Sequence, residues 1–329
     1  MNSNNKMGLR LMICRFGFAG VLMLSGALVQ AQEFPSKVVR IVVPTEPGGT
    51  VDFVARLLAQ RLGETWKRGV IVENRAGAGG VIGADYIAKA ASDGHTLGLV
   101  TTSFTTNAAT NGKLPYDSLR DFTPVTLVAF STYILVTNPN VPVRTMKDLI
   151  DLAKRKPGEL NYASAGNGGS LHLATEMLNG MAGIKMVHVP YKGTVPAVND
   201  VIGGQVQATI TSLVAAMPLV NAGKLRLIAV TGTNRSMMAP DTPTIGETVP
   251  GFEFNNWFGI LAPRGTPKEI VTQLHAAIAK VVQIKEVRDL MLAQSVEPAG
   301  LGSEQFETMM RTEIGRYSKL VKDIGIKVE

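Results

Sequence analysis

Cysteine is almost missing from this sequence: there is one, Cys14, within the first fifteen residues. It precedes an apolar run of 14 residues, Phe16 to Val29, flanked by Lys6, Arg10 and Arg15 and closing on Val29-Gln30-Ala31. That order is the pattern of a secretory signal peptide, with cleavage expected after Ala31. Removing residues 1–31 removes the thiol, which excludes disulfides, thiolate metal sites and a cysteine nucleophile. The run is shorter than the roughly 20 residues a membrane span needs, and no other segment is long and apolar enough to span a bilayer. Histidine is scarce too. His95, His172, His188 and His275 include no two at zinc-site spacing. Only His172 has a carboxylate one helical turn on, Glu176, so no metal site is expected. Charge of one sign is likewise in short supply. Without the signal's three cations, 30 Lys and Arg face 26 Asp and Glu, a net +4 spread without blocks. Nucleic-acid binding is thereby disfavoured, while weak steering of anions remains open. The 298 residues after Ala31 exceed one small core and suit two domains.

Glycine, by contrast, is plentiful and clustered. Arg40 to Val43 is a short apolar run that reads as a buried strand, followed by the turn Pro47-Gly48-Gly49. Val51, Val54, Ala55, Leu58 and Leu62 then fall at helical spacing, with Gly63 as the stop. A glycine-rich turn from strand to helix aims backbone N–H groups at one point, backed by the helix dipole, and makes an anion site. The pattern recurs. Val70 to Glu73 leads through Asn74–Gly80 into a helix over about Val81–Ala90, and Thr96 to Val100 is a third strand. Thr101 to Asp117, rich in hydroxyls, reads as a loop. Thr126 to Asn138 reads as one long strand crossing between domains. Thr145 and Asp148 form a capping-box pair for a helix that ends before Pro157-Gly158.

Alternation continues with a strand at Leu160–Ala163, a third glycine turn at Ser164–Gly169, and Ser170 as N-cap of a helix ending near Gly180. Strands follow at Lys185–Val189, Val206–Ile210 and Leu225–Val230, with helices at Pro196–Ile202 and Val214–Ala222. After a loop over Met237–Pro250, Phe254 to Val281 repeats the earlier crossing pattern, with Thr266 as N-cap and Pro267 at the first helical position. The chain ends in amphipathic helices at about Glu269–Val282 and Ser303–Ile324, flanking a shorter one near Glu286–Ala293. Alternating strands and helices give an α/β fold with helices on the sheet faces, and two crossing strands supply what a hinge needs. Three glycine turns opening helices at one sheet edge point to a ligand crevice there.

Several chemistries fit less well. Gly77 to Gly83 is no dinucleotide fingerprint, because Ile82 stands where a glycine is needed and the run follows the second strand. No GxSxG nucleophile elbow occurs. A Ser164–His172 pair with Asp52 as third member is conceivable as a hydrolase, but hydroxyls beside glycine turns more often donate to a ligand. His172 could face the crevice or cap its turn, and His275 suits surface or packing. Gly79–Ile82 and Phe254–Trp257 are candidates for contact between the halves of the hinge; Phe258 reads as core, and Trp257 stays open.

Six stretches carry a resemblance: VPTEPGGTVDFVARLLAQRLG, VIVENRAGAGGVIGADYIAKAASDGHTL, NYASAGNGGSLHLATEMLNGMAG, VHVPYKGTVPAVNDVIGGQV, GKLRLIAVTG and NWFGILAPRGTPKEIVTQLHAAIAKVV. Together they resemble the solute-binding proteins of tripartite tricarboxylate transporters, the Bug family. The resemblance implies a periplasmic, monomeric, two-lobed binding protein of type II, each lobe a mixed sheet flanked by helices. Residues 32–131 and 254–329 would form one domain and 132–253 the other. It implies closure around a small, usually carboxylated solute, held by backbone amides, hydroxyls and water, with no enzyme activity, metal or cofactor. The partner would be a membrane permease or, alternatively, a sensor kinase. Carried onto this sequence, Pro47, Gly48, Gly49, Thr50 and Asp52 form the first-lobe grip, and Ser164, Ala165, Gly166, Gly168 and His172 the second. Tyr191, Lys192 and Gly193 border the cleft. Two departures stand out: Thr45 and Glu46 replace the family's usual aromatic and small residue or proline, and Thr211 replaces a frequent acid. They favour a non-amino carboxylate or an uncharged-end ligand over an amino acid.

Overall fold

The computed structural model describes residues 34–324. The expected signal segment 1–31, its cleavage site and Cys14 lie outside the described residues. The strands in chain order are β1 (Val39–Val43), β2 (Val70–Asn74), β3 (Thr96–Thr101), β4 (Phe122–Ser131), β5 (Tyr133–Thr137), β6 (Asn161–Ser164), β7 (Val187–Pro190), β8 (Ala208–Ser212), β9 (Arg226–Val230), β10 (Asn256–Pro263) and β11 (Val296–Leu301). The helices are α1 (Thr50–Trp66), α2 (Val81–Ala88), α3 (Ser103–Thr110), α4 (Met146–Arg155), α5 (Ser170–Ala182), α6 (Thr194–Ile202), α7 (Leu213–Asn221), α8 (Lys268–Gln283), α9 (Lys285–Leu292) and α10 (Ser303–Ile324).

Two mixed sheets result. The first has the order β11-β4-β10-β3-β1-β2 and the second β7-β6-β8-β5-β9. In the first, β1 runs parallel to β2 and β3, as short βαβ connections require, and β10 returns antiparallel between β3 and β4. In the second, β6 runs parallel to β7 and β8, and β5 lies antiparallel between β8 and β9. The third glycine turn thus belongs to a different sheet from the first two, correcting the expectation of a single edge.

The long apolar stretch 126–138 is split at Thr132, where the chain leaves the first sheet as β4 and enters the second as β5. It returns after β9, where Phe254 N–H donates to Thr231 O and Thr102 Oγ1 donates to Asn255 O while accepting from Trp257 N–H. A third crossing was not expected. Helix α10 buries Phe306 and Met310 in the first lobe's core and Tyr317 in the second lobe's. Trp257 is fully buried, and its Nε1–H donates to the Oε2 of Glu313 on α10, which also accepts from Thr105. Gly259 allows this packing: a Cβ there would stand 2.1 Å from Phe306 Cζ.

The clearest error in reading the sequence concerns Thr101 to Asp117, which is not a loop throughout but holds α3. Its threonines are poor helix formers because their hydroxyls compete with the backbone. Here those hydroxyls bond back to the carbonyls of the preceding turn, Thr105 to Thr102, Thr106 to Ser103 and Thr110 to Thr106. Tertiary burial decides the matter: Phe104 stacks on Tyr116 at 5.9 Å and meets Phe122 edge-on at 5.0 Å. Strand β11, interrupted by Pro298, went unread because only its pairing along β4 makes it a strand. Thr145 and Asp148 form the expected capping box. The cap expected at Ser170 falls one residue earlier, on Gly169, and that expected at Thr266 one residue later, on Pro267, while Thr266 Oγ1 donates to Pro263 O instead.

Candidate functional site

The loops after β1, β2, β3 and β6 leave the carboxyl ends of parallel strands, where open α/β sheets collect ligands. A cavity of about 660 Å³ lies there, lined by Gly79, Asn107, Thr110 and Asn111 from the first lobe and by Ala165 to Gly169 and His172 from the second. It falls in the size range of small-molecule sites. The lobes approach closely at its edge, since a Cβ on Gly168 would stand 3.7 Å from Thr110 Cβ. No lysine or arginine lines it. Arg75, the one arginine in a glycine turn, is drawn aside: its Nε donates to Glu73 at 2.6 Å, and its guanidinium lies 3.6 Å over the Tyr86 ring.

The second lobe presents neutral donors. Leu173 N–H to Gly169 O is the first intrahelical bond of α5, so the amides of Ser170, Leu171 and His172 precede it at the positive end of the helix. His172, 7 % exposed, accepts the Gly168 N–H at Nδ1 over 3.0 Å, which puts its own proton on Nε2. Burial pulls its pKa down to about 4, so at neutral pH the ring is an uncharged donor beside the cavity. His172 stacks on His188 with ring centroids 3.8 Å apart. Burial chiefly, reinforced by the neighbouring His172, lowers His188 to about 4 as well. Tyr162 completes the stack, 5.0 Å from His188, and its hydroxyl donates to Glu176.

Ser164 is 1 % exposed, and its Oγ lies 2.6 Å from His188 Nε2. The partner of Ser164 is therefore His188 rather than His172, which corrects the conceivable Ser164–His172 pair. Asp52 is remote in role from both. Its carboxylate accepts from Gly48 N–H, Arg56 and Asn74, closing the first glycine turn on itself.

The other anticipated residues fall as follows. Glu46, Pro47, Gly48 and Gly49 are exposed, with Thr50 half-buried, and none of them lines the 660 Å³ cavity. Thr45 instead borders a narrow slot with Gly79, Gly80, Asn107 and Tyr116, which adjoins the cavity through the shared Gly79 and Asn107. Tyr191 receives its place from Ser164, whose carbonyl accepts the Tyr191 N–H, and its hydroxyl donates to Asp200 at 2.6 Å. Lys192 is exposed, and Gly193 caps α6 with φ 114°. Thr211 is fully buried in β8, with its hydroxyl unpaired among the described residues. Sequence reading missed Asn107, Thr110 and Asn111 because it missed α3. The signal that could have found them is the i, i+3, i+4 spacing of Asn107, Thr110 and Asn111, which places three polar groups along one side of a helix.

The comparisons agree with this architecture. The family model described as tripartite tricarboxylate transporter family receptor matches residues 54–326. A Pseudomonas sp. protein from the tcbD-tcbE intergenic region is 38% identical over 88% of this chain and 86% of its own length. Protein BugT of Bordetella pertussis is 36% identical over 92% of this chain and 94% of its own. Among solved structures, an R. palustris protein with adipate superposes with a TM-score of 0.78 at 37% identity, covering 90% of this chain and 99% of that one. MatC from Rhodopseudomonas palustris with bound malate gives 0.73 at 31% identity, over 88% and 100%. Two mixed α/β sheets in the arrangement of these periplasmic binding proteins, with the family match across most of the chain, make this chain a member of the tripartite tricarboxylate transporter receptor family.

Proposed function

We propose that this chain is a periplasmic receptor that captures a small carboxylate between its lobes and delivers it to a membrane permease, without catalysis. The observation that carries the proposal is the 660 Å³ cavity, which both lobes line and where uncharged donors stand without a cation. Such a set holds a carboxylate by charge-assisted hydrogen bonds to preorganised N–H groups. The adipate and malate in the two R. palustris structures support an acid of similar size. Residues 32–131 with 254–329 form one domain, and 132–253 the other. The strands sort accordingly, β1–β4, β10 and β11 in one sheet and β5–β9 in the other. No helix among the described residues is long and apolar enough to cross a membrane, which suits a receptor that meets its permease from outside.

Among the described residues no Asp or Glu lines the cavity to meet a ligand ammonium, so a non-amino carboxylate is favoured. Calorimetry on the purified chain should find a dicarboxylate bound more tightly than aspartate or glutamate; the reverse order would overturn this preference. A thermal-shift screen of organic acids identifies the ligand, since one at about 100 times its Kd stabilises by about 2.7 kcal/mol. Ser164 should resist fluorophosphonate labelling, and labelling at that residue would reopen hydrolysis.

A further inference from the structure

Ser164 Oγ has three close neighbours but only one proton. It lies 3.0 Å from Gly166 O, 3.2 Å from Gly166 N and 2.6 Å from His188 Nε2. The Gly166 N–H can only donate to it, and the Gly166 carbonyl can only accept from it. Were the serine proton given to His188, the Gly166 carbonyl would face a bare oxygen lone pair at 3.0 Å. If His188 Nε2 instead carries a proton and donates, every contact is satisfied: ring to Oγ, Oγ–H to the Gly166 carbonyl, Gly166 N–H to Oγ. The loop needs this support. Gly166 has φ +147° and Gly168 φ +69°, conformations without a regular hydrogen-bond ladder, and both residues line the cavity. Gly168 is tied separately by its N–H to His172, which rests on His188 through the ring stack.

We propose that His188 is the positioning residue of the second-lobe loop: as the Nε2–H tautomer it donates to Ser164, fixes the direction of that hydroxyl, and so locks Gly166 in the shape that lines the cavity. The Ser164 hydroxyl is thereby turned away from the ring, so the imidazole holds the loop and takes no proton from the serine. The importance of the loop rests on the ligand-capture reading above, but the tautomer and its mechanical effect do not, and they are testable without ligand.

The experiment uses the signal-free chain with 15N-labelled histidine. Long-range 1H–15N spectra at pH 7 should show His188 and His172 both protonated at Nε2; an Nδ1–H tautomer at His188 would overturn the proposal. Hydrogen exchange supplies the second readout. His188→Ala and Ser164→Ala should each raise the Gly166 amide exchange rate at least tenfold while β8 amides keep theirs. His188→Gln, whose side-chain amide N–H can replace the ring donor, should recover most of the protection. Uniform acceleration across both sheets, or no recovery with Gln, would reduce His188 to a packing residue and refute the claim. If these results hold and no organic acid binds, the capture reading fails while this one stands.

Discussion

Replacing Asp52 by Asn separates a turn-holding role from a ligand-holding one. The Asp52 side chain is buried in the first turn of α1, where it accepts from Gly48 N–H at 3.0 Å, Arg56 Nε at 2.8 Å and Asn74 Nδ2 at 3.0 Å. The Arg56 hydrogen bond, with those of Gly48 and Asn74, outweighs the opposing effect of burial and draws the carboxyl from 3.8 to about 2. A folded pKa below the unfolded one stabilises the protein above the unfolded value, and that contribution is lost as pH falls from near 4 through about 2. A displacement of nearly two pH units would correspond to about 2.4 kcal/mol at 1.36 per unit. Arg56 is 56% exposed and solvent screens the pair, so about 1–2 kcal/mol is the expected share. In urea unfolding, Asp52→Asn should lose that amount at pH 7, and the gap to the parent should shrink steadily between pH 4 and 2. Affinity for the acid identified by screening should change less than threefold, because the carboxylate faces its own turn. A constant gap across that pH range would refute the electrostatic account, and a large loss of affinity at unchanged stability would return Asp52 to the grip.

Glu313→Ala should cost about 2–4 kcal/mol in chemical denaturation, because it strands the buried Trp257 N–H. Burial raises the Glu313 pKa, so Glu313→Gln, which still accepts, should cost under about 1 kcal/mol; equal losses for Ala and Gln would contradict this. Gly259→Ala should destabilise by about 2–3 kcal/mol through overpacking against Phe306, with Phe306→Leu recovering part of it in the double variant. His172 has a folded pKa of about 4, below its unfolded 6.5, so from pH 6.5 down to 4 the unfolded chain takes up a proton the folded chain refuses. Stability should therefore fall over that window by up to about 1.4 kcal/mol per pH unit from this ring. A His172→Gln variant should show a flatter profile, and an unchanged slope would show that the ring titrates normally.

By itself the sequence determined the alternation of elements, the glycine turns and the capping box at Thr145, because these are encoded within a few residues of backbone preference and hydrophobic spacing. It also carried the family, through motifs running the length of the chain. What it could not determine depends on distant partners. Helix α3 exists because Phe104 is buried against Tyr116 and Phe122 and Thr105 reaches Glu313, so a segment poor in helix formers is held by contacts up to 208 residues away. Its residues Asn107, Thr110 and Asn111 became part of the cavity only on that account. Asp52 looked free for a ligand in one dimension, yet Gly48, Arg56 and Asn74 hold its carboxylate in three. Ser164 found His188 rather than His172 because β6 and β7 lie side by side in register, with Tyr162 opposite His188 and Ser164 opposite Pro190, whereas His172 sits beyond the turn on α5. Pairing across a sheet sets which groups touch, and the local pattern of residues holds no record of it.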